Sequence, residues 1–198
     1  MFTGIIETIG TVQEVQISGT NRSFWIESEL SGMLKIDQSV AHNGVCLTVD
    51  ALQDGRHRVT AINETLQKTH LSTWKKGSSI NIERCLMMGG RLDGHMVQGH
   101  VDTVGNCLDV HDQNGSWLFT LRFPETFAHL MIEKGSICLN GISLTAFSVT
   151  KNSFQVAIIP YTWEHTNMHA LKPGDAINLE FDMVGKYIQR SLALQANG

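Results

Sequence analysis

Residues 39–49 read SVAHNGVCLTV and residues 136–146 read SICLNGISLTA. The second stretch repeats the first after 97 positions, and five of its eleven residues are identical. The same shift places residues 64–83 on residues 161–180 with seven identities, and a shift of 95 aligns residues 4–10 with residues 99–105. Three blocks in the same order and at nearly one offset establish an internal duplication.

The residue pattern of each copy favours β-structure. Short β-rich runs at residues 10–17, 23–26, 45–49, 58–62 and 79–82 stand between Gly, Asn and Asp. Asn43-Gly44 and Asn140-Gly141 predict tight hairpins, because a type I′ turn needs positive φ at both central residues. Closing an antiparallel sheet removes its exposed edges. We therefore predict an all-β chain of two barrels, at residues 1–94 and 95–191, with short helices such as residues 124–134 between strands.

A C-terminal helix at about residues 184–195 has no counterpart in the first copy. Asp182 is a candidate N-cap, and Val184, Tyr187, Ile188 and Leu192 recur at helical spacing. This apolar stripe packs either on its own barrel or on a neighbouring subunit, and the spacing alone does not choose between them.

The bulk composition excludes several classes of partner. The formal net charge is −4 and the basic residues are dispersed, which argues against nucleic acid or an anionic membrane surface. No stretch reaches the ~18 apolar residues of a membrane span, and the N-terminus does not resemble a secretory signal. The four scattered cysteines then indicate reduced thiols in a cytoplasmic protein. No metal site is predicted, because His95 and His100 lie five apart on a predicted strand and would face opposite ways.

The repeated block also carries side chains suited to chemistry. Cys46 and Thr48 in the first copy, like Ser143 and Thr145 in the second, alternate onto one face of a predicted strand. Hydroxyl and thiol groups placed together suit hydrogen bonding to a polar ligand. A thiol can be ionised by its surroundings and act as a nucleophile, whereas serine needs a partner base. A hairpin followed by a buried strand, with Cys46 as a small apolar residue, is the alternative.

A second candidate is the segment GHMVQGH at residues 94–100. Histidine is the side chain that titrates near neutral pH without help, although an isolated histidine is more often structural. The matching first-copy segment has Ile5 where the second has His100. The two halves therefore share one scaffold and divide the chemistry.

Four blocks together resemble riboflavin synthase of the α-chain type: residues 1–7 (MFTGIIE), 43–49 (NGVCLTV), 94–102 (GHMVQGHVD) and 140–145 (NGISLT). The resemblance covers nearly the whole chain and includes the repeat. It implies two six-stranded Greek-key barrels and a C-terminal helix that assembles a homotrimer, with each site between barrels of neighbouring subunits. The implied reaction converts two molecules of 6,7-dimethyl-8-ribityllumazine into riboflavin and 5-amino-6-ribitylamino-uracil, without a metal or redox cofactor.

The resemblance also implies site residues. By matching position, the first-barrel site would use Gly4, Ile5, Ile6, Cys46, Leu47, Thr48, Ala61, Ile62, Asn63, Glu64, Thr65 and Leu66. The second-barrel site would use Gly99, His100, Val101, Lys134, Ser143, Leu144, Thr145, Ile158, Ile159, Pro160, Tyr161, Thr162 and Trp163. Four further positions match the family's active site: Phe2, Thr3, Ser39 and Asp182. Cys46 would be the nucleophile or its hydrogen-bonding aid, and His100 and Ser143 would steer a proton from the 7-methyl group.

Two loops depart from the family pattern, since Tyr161 and Asn63 stand where histidine and proline are common. The alternative function is that of a lumazine protein, a non-catalytic relative that holds a ribityl-lumazine or flavin as a fluorophore. Such proteins resemble the synthase poorly at the Cys-Leu-Thr block, which is intact here. A flavoenzyme with a similar barrel is a third possibility, but no nicotinamide-binding fingerprint follows.

Overall fold

A computed structural model describes residues 1–196 and contains two β-barrels followed by a helix. In the first barrel, six antiparallel strands close in the order β1-β2-β5-β4-β3-β6. These strands are β1 (Thr8–Ser18), β2 (Asn21–Glu27), β3 (Ser39–His42), β4 (Val45–Gln53), β5 (Arg56–Ala61) and β6 (Ser79–Arg84). Residues of β4 alternate between core and surface: Val45, Leu47 and Val49 are buried, whereas Cys46 and Thr48 face outward.

The second barrel repeats this arrangement and is nearly closed, with strand order β10-β9-β12-β7-β8-β11. Its strands are β7 (Thr103–Asp112), β8 (Trp117–Arg122), β9 (Ser136–Leu139), β10 (Ile142–Thr145), β11 (Ser153–Ile158) and β12 (Ala176–Phe181). β10 has four residues where β4 has nine, because the chain turns away at Ser148, whose φ is 50°. A single β-bridge between Phe147, just after β10, and Gln155 on β11 joins the two end strands of this sheet. The prediction of two six-stranded Greek-key barrels is confirmed.

Short helices fill the connections. α1 (Asn63–Lys68) and α2 (Pro160–His165) occupy equivalent places in the two copies, and α3 (Met183–Ala196) is the predicted C-terminal helix. The predicted helix at residues 124–134 is wrong in type and length: a 3-10 helix spans only Glu125–Leu130, and Met131 is already extended. None of the helices within residues 1–196 is both long and apolar enough to cross a membrane.

The two barrels meet at their Asn-Gly turns. Asn43 and Asn140 each have a φ of 46°, followed by Gly44 at 75° and Gly141 at 86°, so both predicted turns have positive φ at their central residues. A Cβ added to Gly44 would lie 2.7 Å from the backbone N of Gly141. Backbone meets backbone here, and only glycine permits that approach.

A buried amide network joins these turns. The Asn81 side-chain amide donates to the Asn140 carbonyl at 2.9 Å, and the Asn178 amide donates to the Asn43 carbonyl at 2.9 Å. Asn43 Oδ1 accepts from the Asn81 backbone N–H, and Asn140 Oδ1 accepts from that of Asn178. Asn167 Nδ2 adds a bond to Asn43 Oδ1 at 2.9 Å. Each copy thus satisfies polar groups in the turn of the other.

The segments that lead into β1 and β7 also cross between the barrels. We call residues 2–6 the first arm and residues 97–101 the second arm. Phe2 and Val97 exchange two backbone hydrogen bonds, of 2.7 and 3.1 Å, which tie the arms to each other. The Gly4 carbonyl accepts from the Ser143 N–H in the second barrel at 2.8 Å, and the Gly99 carbonyl accepts from the Cys46 N–H in the first barrel at 2.8 Å. Each arm therefore forms a backbone hydrogen bond with a strand of the opposite copy, the first arm with β10 and the second arm with β4.

A buried carboxylate holds each arm at its own barrel. Glu83, at the end of β6, accepts from the Thr3 and Gly4 backbone N–H groups at 2.6 and 3.0 Å. Glu180, on β12, accepts from three backbone N–H groups of residues 98–100 at 2.6–2.9 Å. Burial raises the pKa of both carboxyl groups, while the N–H donors lower it.

A histidine pair is buried inside the first barrel. His42 Nε2 and His57 Nε2 are 2.8 Å apart, His42 Nδ1 lies 3.1 Å from the Val40 carbonyl, and His57 Nδ1 lies 2.8 Å from the Ser31 hydroxyl. Neutral rings complete this chain if His42 donates to Val40, His57 to His42, and Ser31 to His57. Burial lowers the pKa of His57 to about 4, and burial together with His57 lowers that of His42. In the second copy, Leu139 and Phe154 stand at these positions.

We predict that the first barrel loses stability between about pH 6.5 and pH 4 because of this pair. The folded pKa of His57 is below its unfolded value, so the unfolded chain binds the proton first as the pH falls. The shift of His57 alone corresponds to about 3 kcal/mol of unfolding free energy. His42→Leu combined with His57→Phe, which copies the second barrel, should flatten this part of the curve. Urea unfolding across pH 4–8 measures it, and equal pH slopes for the two proteins would contradict the prediction.

We predict that Gly4→Ala is more destabilising than Gly19→Ala. Both glycines have positive φ, 78° and 60°, so alanine carries a similar backbone penalty of about 1–2 kcal/mol at each. A Cβ at Gly4 would also lie 2.6 Å from the Ser143 Cβ, whereas one at Gly19 meets nothing within 4 Å. Overpacking adds roughly 1–3 kcal/mol at Gly4. Equal losses of stability in chemical denaturation would show that the first arm does not press on the second barrel.

Candidate functional site

An open pocket of about 560 Å³ lies beside β10 on the outside of the second barrel. Its size is within the usual range for small-molecule sites. The lining combines the hydroxyls of β10 with a cation, apolar side chains and the first arm: Ile5, Asp93, Gly94, Lys134, Ser136, Ser143, Leu144, Thr145, Phe147, Ala157, Ile159 and Thr162. Nine of these come from the second copy, Ile5 comes from the first arm, and Asp93 and Gly94 come from the segment between the barrels.

Lys134 contributes a positive charge to this pocket, which also contains the Asp93 carboxylate. The lysine has a φ of 64°, and its ammonium group lies 4.9 Å from the centre of the Phe147 ring. The equivalent first-copy residue is Asp37, with a φ of 71°. The same turn therefore presents opposite charges beside the two barrels.

The Ser143 side chain contacts the imidazole ring of His95. The Ser143 hydroxyl lies 2.6 Å from His95 Nδ1, and His95 is only 8% exposed. Burial lowers the pKa of His95, and the charge of Asp182 raises it. The segment around His95 is not the predicted strand: it forms a single bridge at Val97, with Gly99 at a φ of 79°.

The equivalent face of the first barrel presents a thiol. Cys46 is partly buried between the Ser39 side chain and the second arm. Burial raises the pKa of Cys46, which outweighs the opposing effect of Ser39. The surroundings in this chain therefore favour the protonated thiol, and a nucleophilic role for Cys46 stays a prediction. A protonated thiol can act as a weak hydrogen-bond donor.

The division of the arms between the two sites is the main correction to the sequence analysis. The resemblance places Gly4, Ile5 and Ile6 in the same site as Cys46. In the structure, Ile5 lines the second-barrel pocket and Ile6 packs against the core of the second barrel. The resemblance places Gly99, His100 and Val101 in the same site as Ser143. In the structure, Val101 packs against the core of the first barrel and the Gly99 carbonyl accepts from the Cys46 N–H. The reason is the crossing of the arms, which a comparison of the two copies cannot reveal.

Several predicted positions contribute structure rather than an exposed group. The side chains of Leu47, Ala61 and Ile158 are in the barrel cores, so only their backbones face outward. Phe2 is completely buried between the barrels, and the Thr3 hydroxyl donates to Glu83 at 2.6 Å.

The remaining positions surround the two faces. Trp163 stacks on Trp117 with centroids 4.0 Å apart, and Leu66 packs on the first core. Ile62 and Ile159 are more than half exposed where the chain enters α1 and α2. The exposed residues of these two helices include Asn63, Glu64, Pro160 and Tyr161, and the partly buried ones include Thr65 and Thr162.

Sequence reasoning missed His95 and the two buried carboxylates. His95 stands in the candidate segment at residues 94–100, but the resemblance gave the proton-steering role to His100 instead. Glu83 and Glu180 are a repeated pair near the ends of two matching runs that are rich in isoleucine and leucine. A charged residue repeated in such a position signals a buried, hydrogen-bonded group.

Comparisons with known proteins agree with this architecture. The lumazine binding domain matches the chain twice, over residues 3–85 and 98–182. Riboflavin synthase of Brucella abortus is 38% identical over 96% of this chain and 97% of its own length. Riboflavin synthase of Actinobacillus pleuropneumoniae is 36% identical over 97% of this chain and 90% of its own.

Solved structures share the fold at lower identity. The crystal structure of LumP complexed with riboflavin superposes with a TM-score of 0.85 at 17% identity, covering 91% of this chain and 99% of LumP. LumP complexed with 6,7-dimethyl-8-(1'-D-ribityl) lumazine gives 0.83 at 16% identity with the same coverage. At this identity the likeness concerns the fold, whereas the two matched domains and the full-length relatives establish that the chain belongs to the riboflavin synthase family of tandem lumazine binding domains.

Proposed function

We propose that the chain is a riboflavin synthase, a transferase that dismutates two molecules of 6,7-dimethyl-8-ribityllumazine. A four-carbon unit passes from one lumazine to the other, which yields riboflavin and 5-amino-6-ribitylamino-uracil. The reaction needs neither a metal nor a redox cofactor. The observation that carries the proposal is one fold used twice with unequal side chains, Ser143 with His95 in one copy and Cys46 with Ser39 in the other.

The difference between the side chains of the two copies matches the different roles of the two substrate molecules in this reaction. One substrate must lose a proton from its 7-methyl group and carry negative charge in its ring, while the other must accept a nucleophile. The pocket with Lys134 suits the first role because a cation stabilises the anion. The face with Cys46 suits the second, where its protonated thiol serves as a hydrogen-bonding aid.

Positioning supplies much of the proposed rate enhancement. Holding two reactants in the productive arrangement can lower the barrier by about 7–11 kcal/mol. In the assembled enzyme, each complete site pairs the first-barrel face of one subunit with the second-barrel pocket of the next. The four cysteines are free thiols, which suits the reducing cytoplasm that we propose as its location.

The purified chain should convert 6,7-dimethyl-8-ribityllumazine into riboflavin, with one riboflavin formed per two lumazines consumed. Riboflavin fluorescence and chromatography of both products measure this stoichiometry. Lys134→Ala should raise KM and lower kcat, because the anion loses its cation. Tight binding of the lumazine without turnover would instead assign the chain to the non-catalytic lumazine proteins.

The homotrimer is a further part of the proposal, and α3 supports it. Val184, Tyr187, Ile188 and Leu192 are 50–69% exposed in the single chain, although α3 touches its own barrel through Gln189 and the His129 carbonyl. A groove of about 290 Å³ between α3 and the second barrel adds further uncovered apolar surface. Three parallel helices would bury this stripe, at about 1.5–3 kcal/mol per large apolar residue.

We predict that Ile188→Asp, or truncation after Met183, gives folded monomers with little synthase activity. Arg190→Asp is the control, since it introduces an aspartate on the face of α3 opposite Ile188 and should leave the assembly unchanged. Analytical ultracentrifugation with a parallel activity assay decides the question. An active monomer, or an unaltered assembly in the Ile188 variant, would refute the role of the helix.

A further inference from the structure

The aromatic ring of Phe147 contacts the Lys134 ammonium group in the second-barrel pocket. Both side chains line the pocket, and Lys134 Nζ lies over the ring, 4.9 Å from its centre. The face of an aromatic ring carries partial negative charge, so it attracts a cation at this distance. Lys134 is exposed, whereas Phe147 is partly buried. The ring is therefore the more constrained member of the pair, and the flexible lysine side chain is the member that it positions.

Backbone hydrogen bonds fix the two segments that carry these side chains. The Lys134 N–H donates to the Ala146 carbonyl at 2.9 Å, and the Ala146 N–H donates to the Gly135 carbonyl at 2.9 Å. Phe147 exchanges two backbone hydrogen bonds with Gln155, of 2.9 and 2.8 Å. The turn before β9 and the segment after β10 are therefore held at one spacing, which brings the ring beneath the ammonium group.

The carboxylates near Lys134 have other partners. Glu133 accepts from the backbone N–H groups of residues 148 and 149 at 3.2 and 3.1 Å. Asp93, which also lines the pocket, pairs with Arg91 at 2.9 Å. No ion pair among residues 1–196 includes Lys134. A neutral ring holds this ammonium group, so its full positive charge stays available to a ligand.

The first barrel has acidic residues at both equivalent positions. The shift of 97 places Lys134 on Asp37 and Phe147 on Asp50, and Asp50 accepts from Arg58 at 2.6 Å. The cation and the ring thus occur together in one copy and are absent together from the other. An acid at the position of Phe147 would pair with Lys134 and neutralise its charge, whereas the ring holds the cation without neutralising it.

We propose that Phe147 is a positioning residue for Lys134: its ring holds the ammonium group toward the pocket and leaves the positive charge for the ligand. This proposal rests on the proposed function, in which one lumazine becomes an anion when it loses a 7-methyl proton. Lys134 stabilises that anion, and no bond to either residue forms or breaks. The contact with the ring strengthens when the ligand displaces water, because a cation–π attraction is larger in a desolvated site.

The test replaces Phe147 with phenylalanines that carry one, two or three ring fluorines, incorporated at this position alone. Fluorine withdraws electrons from the ring face and weakens its attraction for a cation, with little change of shape. We expect the logarithm of kcat/KM to fall in proportion to the number of fluorines, by about 3- to 30-fold in total. Most of the loss should be in kcat, because the anion develops only as the reaction proceeds.

The matched control repeats the fluorine series in Lys134→Met. Methionine keeps an unbranched side chain but removes the charge, so fluorination should then have no effect on the remaining activity. A slope that persists without the lysine would show that the ring acts on another group, and this overturns the proposal.

A second pair of variants tests whether the ring keeps the cation free. Phe147→Asp copies the first barrel, and Phe147→Asn has the same size without the charge. We expect the kcat of Phe147→Asp to be about two- to fivefold below that of Phe147→Asn, because the new carboxylate neutralises Lys134. Phe147→Tyr keeps the ring and should stay within about threefold of wild type. Equal kcat values for the aspartate and asparagine variants contradict the proposal.

NMR of the ligand-free protein measures the contact without any reaction. The ε-methylene protons of Lys134, identified by their loss in Lys134→Met, should be shifted upfield by the ring current of Phe147. They should return to the ordinary lysine position in Phe147→Leu. If no upfield shift is observed in the wild-type protein, the contact is refuted whether or not riboflavin is formed.

The outcomes separate this inference from the proposed function. Wild-type protein that makes riboflavin, with a flat fluorine series, overturns the role of Phe147 and leaves the synthase standing. Exchange of the 7-methyl protons for deuterium reports anion formation alone. Wild-type protein that accelerates this exchange in a fluorine-dependent manner but makes no riboflavin supports the role of Phe147 and overturns the synthase.

Discussion

The amide network at the contact between the barrels is the constraint on which the rest of the structure depends. Asn81 and Asn178 reach across to the turn of the opposite copy, and the turns at Asn43 and Asn140 meet with glycine against glycine. Every donor in such a buried network needs its partner, since an unsatisfied buried group carries a penalty of roughly 1–3 kcal/mol. The two barrels can therefore pack in only one relative orientation. That orientation brings the arms within reach of β4 and β10, and the arms complete both sites.

The near-symmetry of the backbone makes the differences between side chains informative. Lys134 stands opposite Asp37 at the same positive φ, and the pair His42 and His57 faces Leu139 and Phe154 at equivalent core positions. Backbone geometry is shared because both copies need the same turns and ladders. Side chains that do not shape the barrel were free to differ, and the differences named here lie on the two outer faces and in one core. One folded chain therefore presents two similar faces that differ in charge and in their hydroxyl and thiol groups.

The sequence was sufficient for what depends on local pattern and on repetition. The duplication, the strands, the Asn-Gly turns, the outward face of Cys46 and Ser143 and the terminal helix all follow from residue spacing. The crossing of the arms does not, because aligning Gly4 with Gly99 shows that they are equivalent but not which barrel each one touches. The partnership of His95 with Ser143 joins residues 48 positions apart through a non-repeating contact. Residues 124–134 have helical spacing, but the chain is already extended at Met131, before the turn at Lys134 that precedes β9.

The crossed arms also bear on how such a chain can arise. An arm-exchanged homodimer of a single copy, each protomer laying its N-terminal segment on the other's outer strand, would show the contacts of Gly4 and Gly99 without any linker. In that dimer both pockets would be composite and identical by symmetry. Joining the protomers through a linker at residues 86–96 keeps every contact. Each half is then encoded by its own part of one gene. Mutation can then alter one pocket without altering the other, as the serine and cysteine at positions 143 and 46 now record.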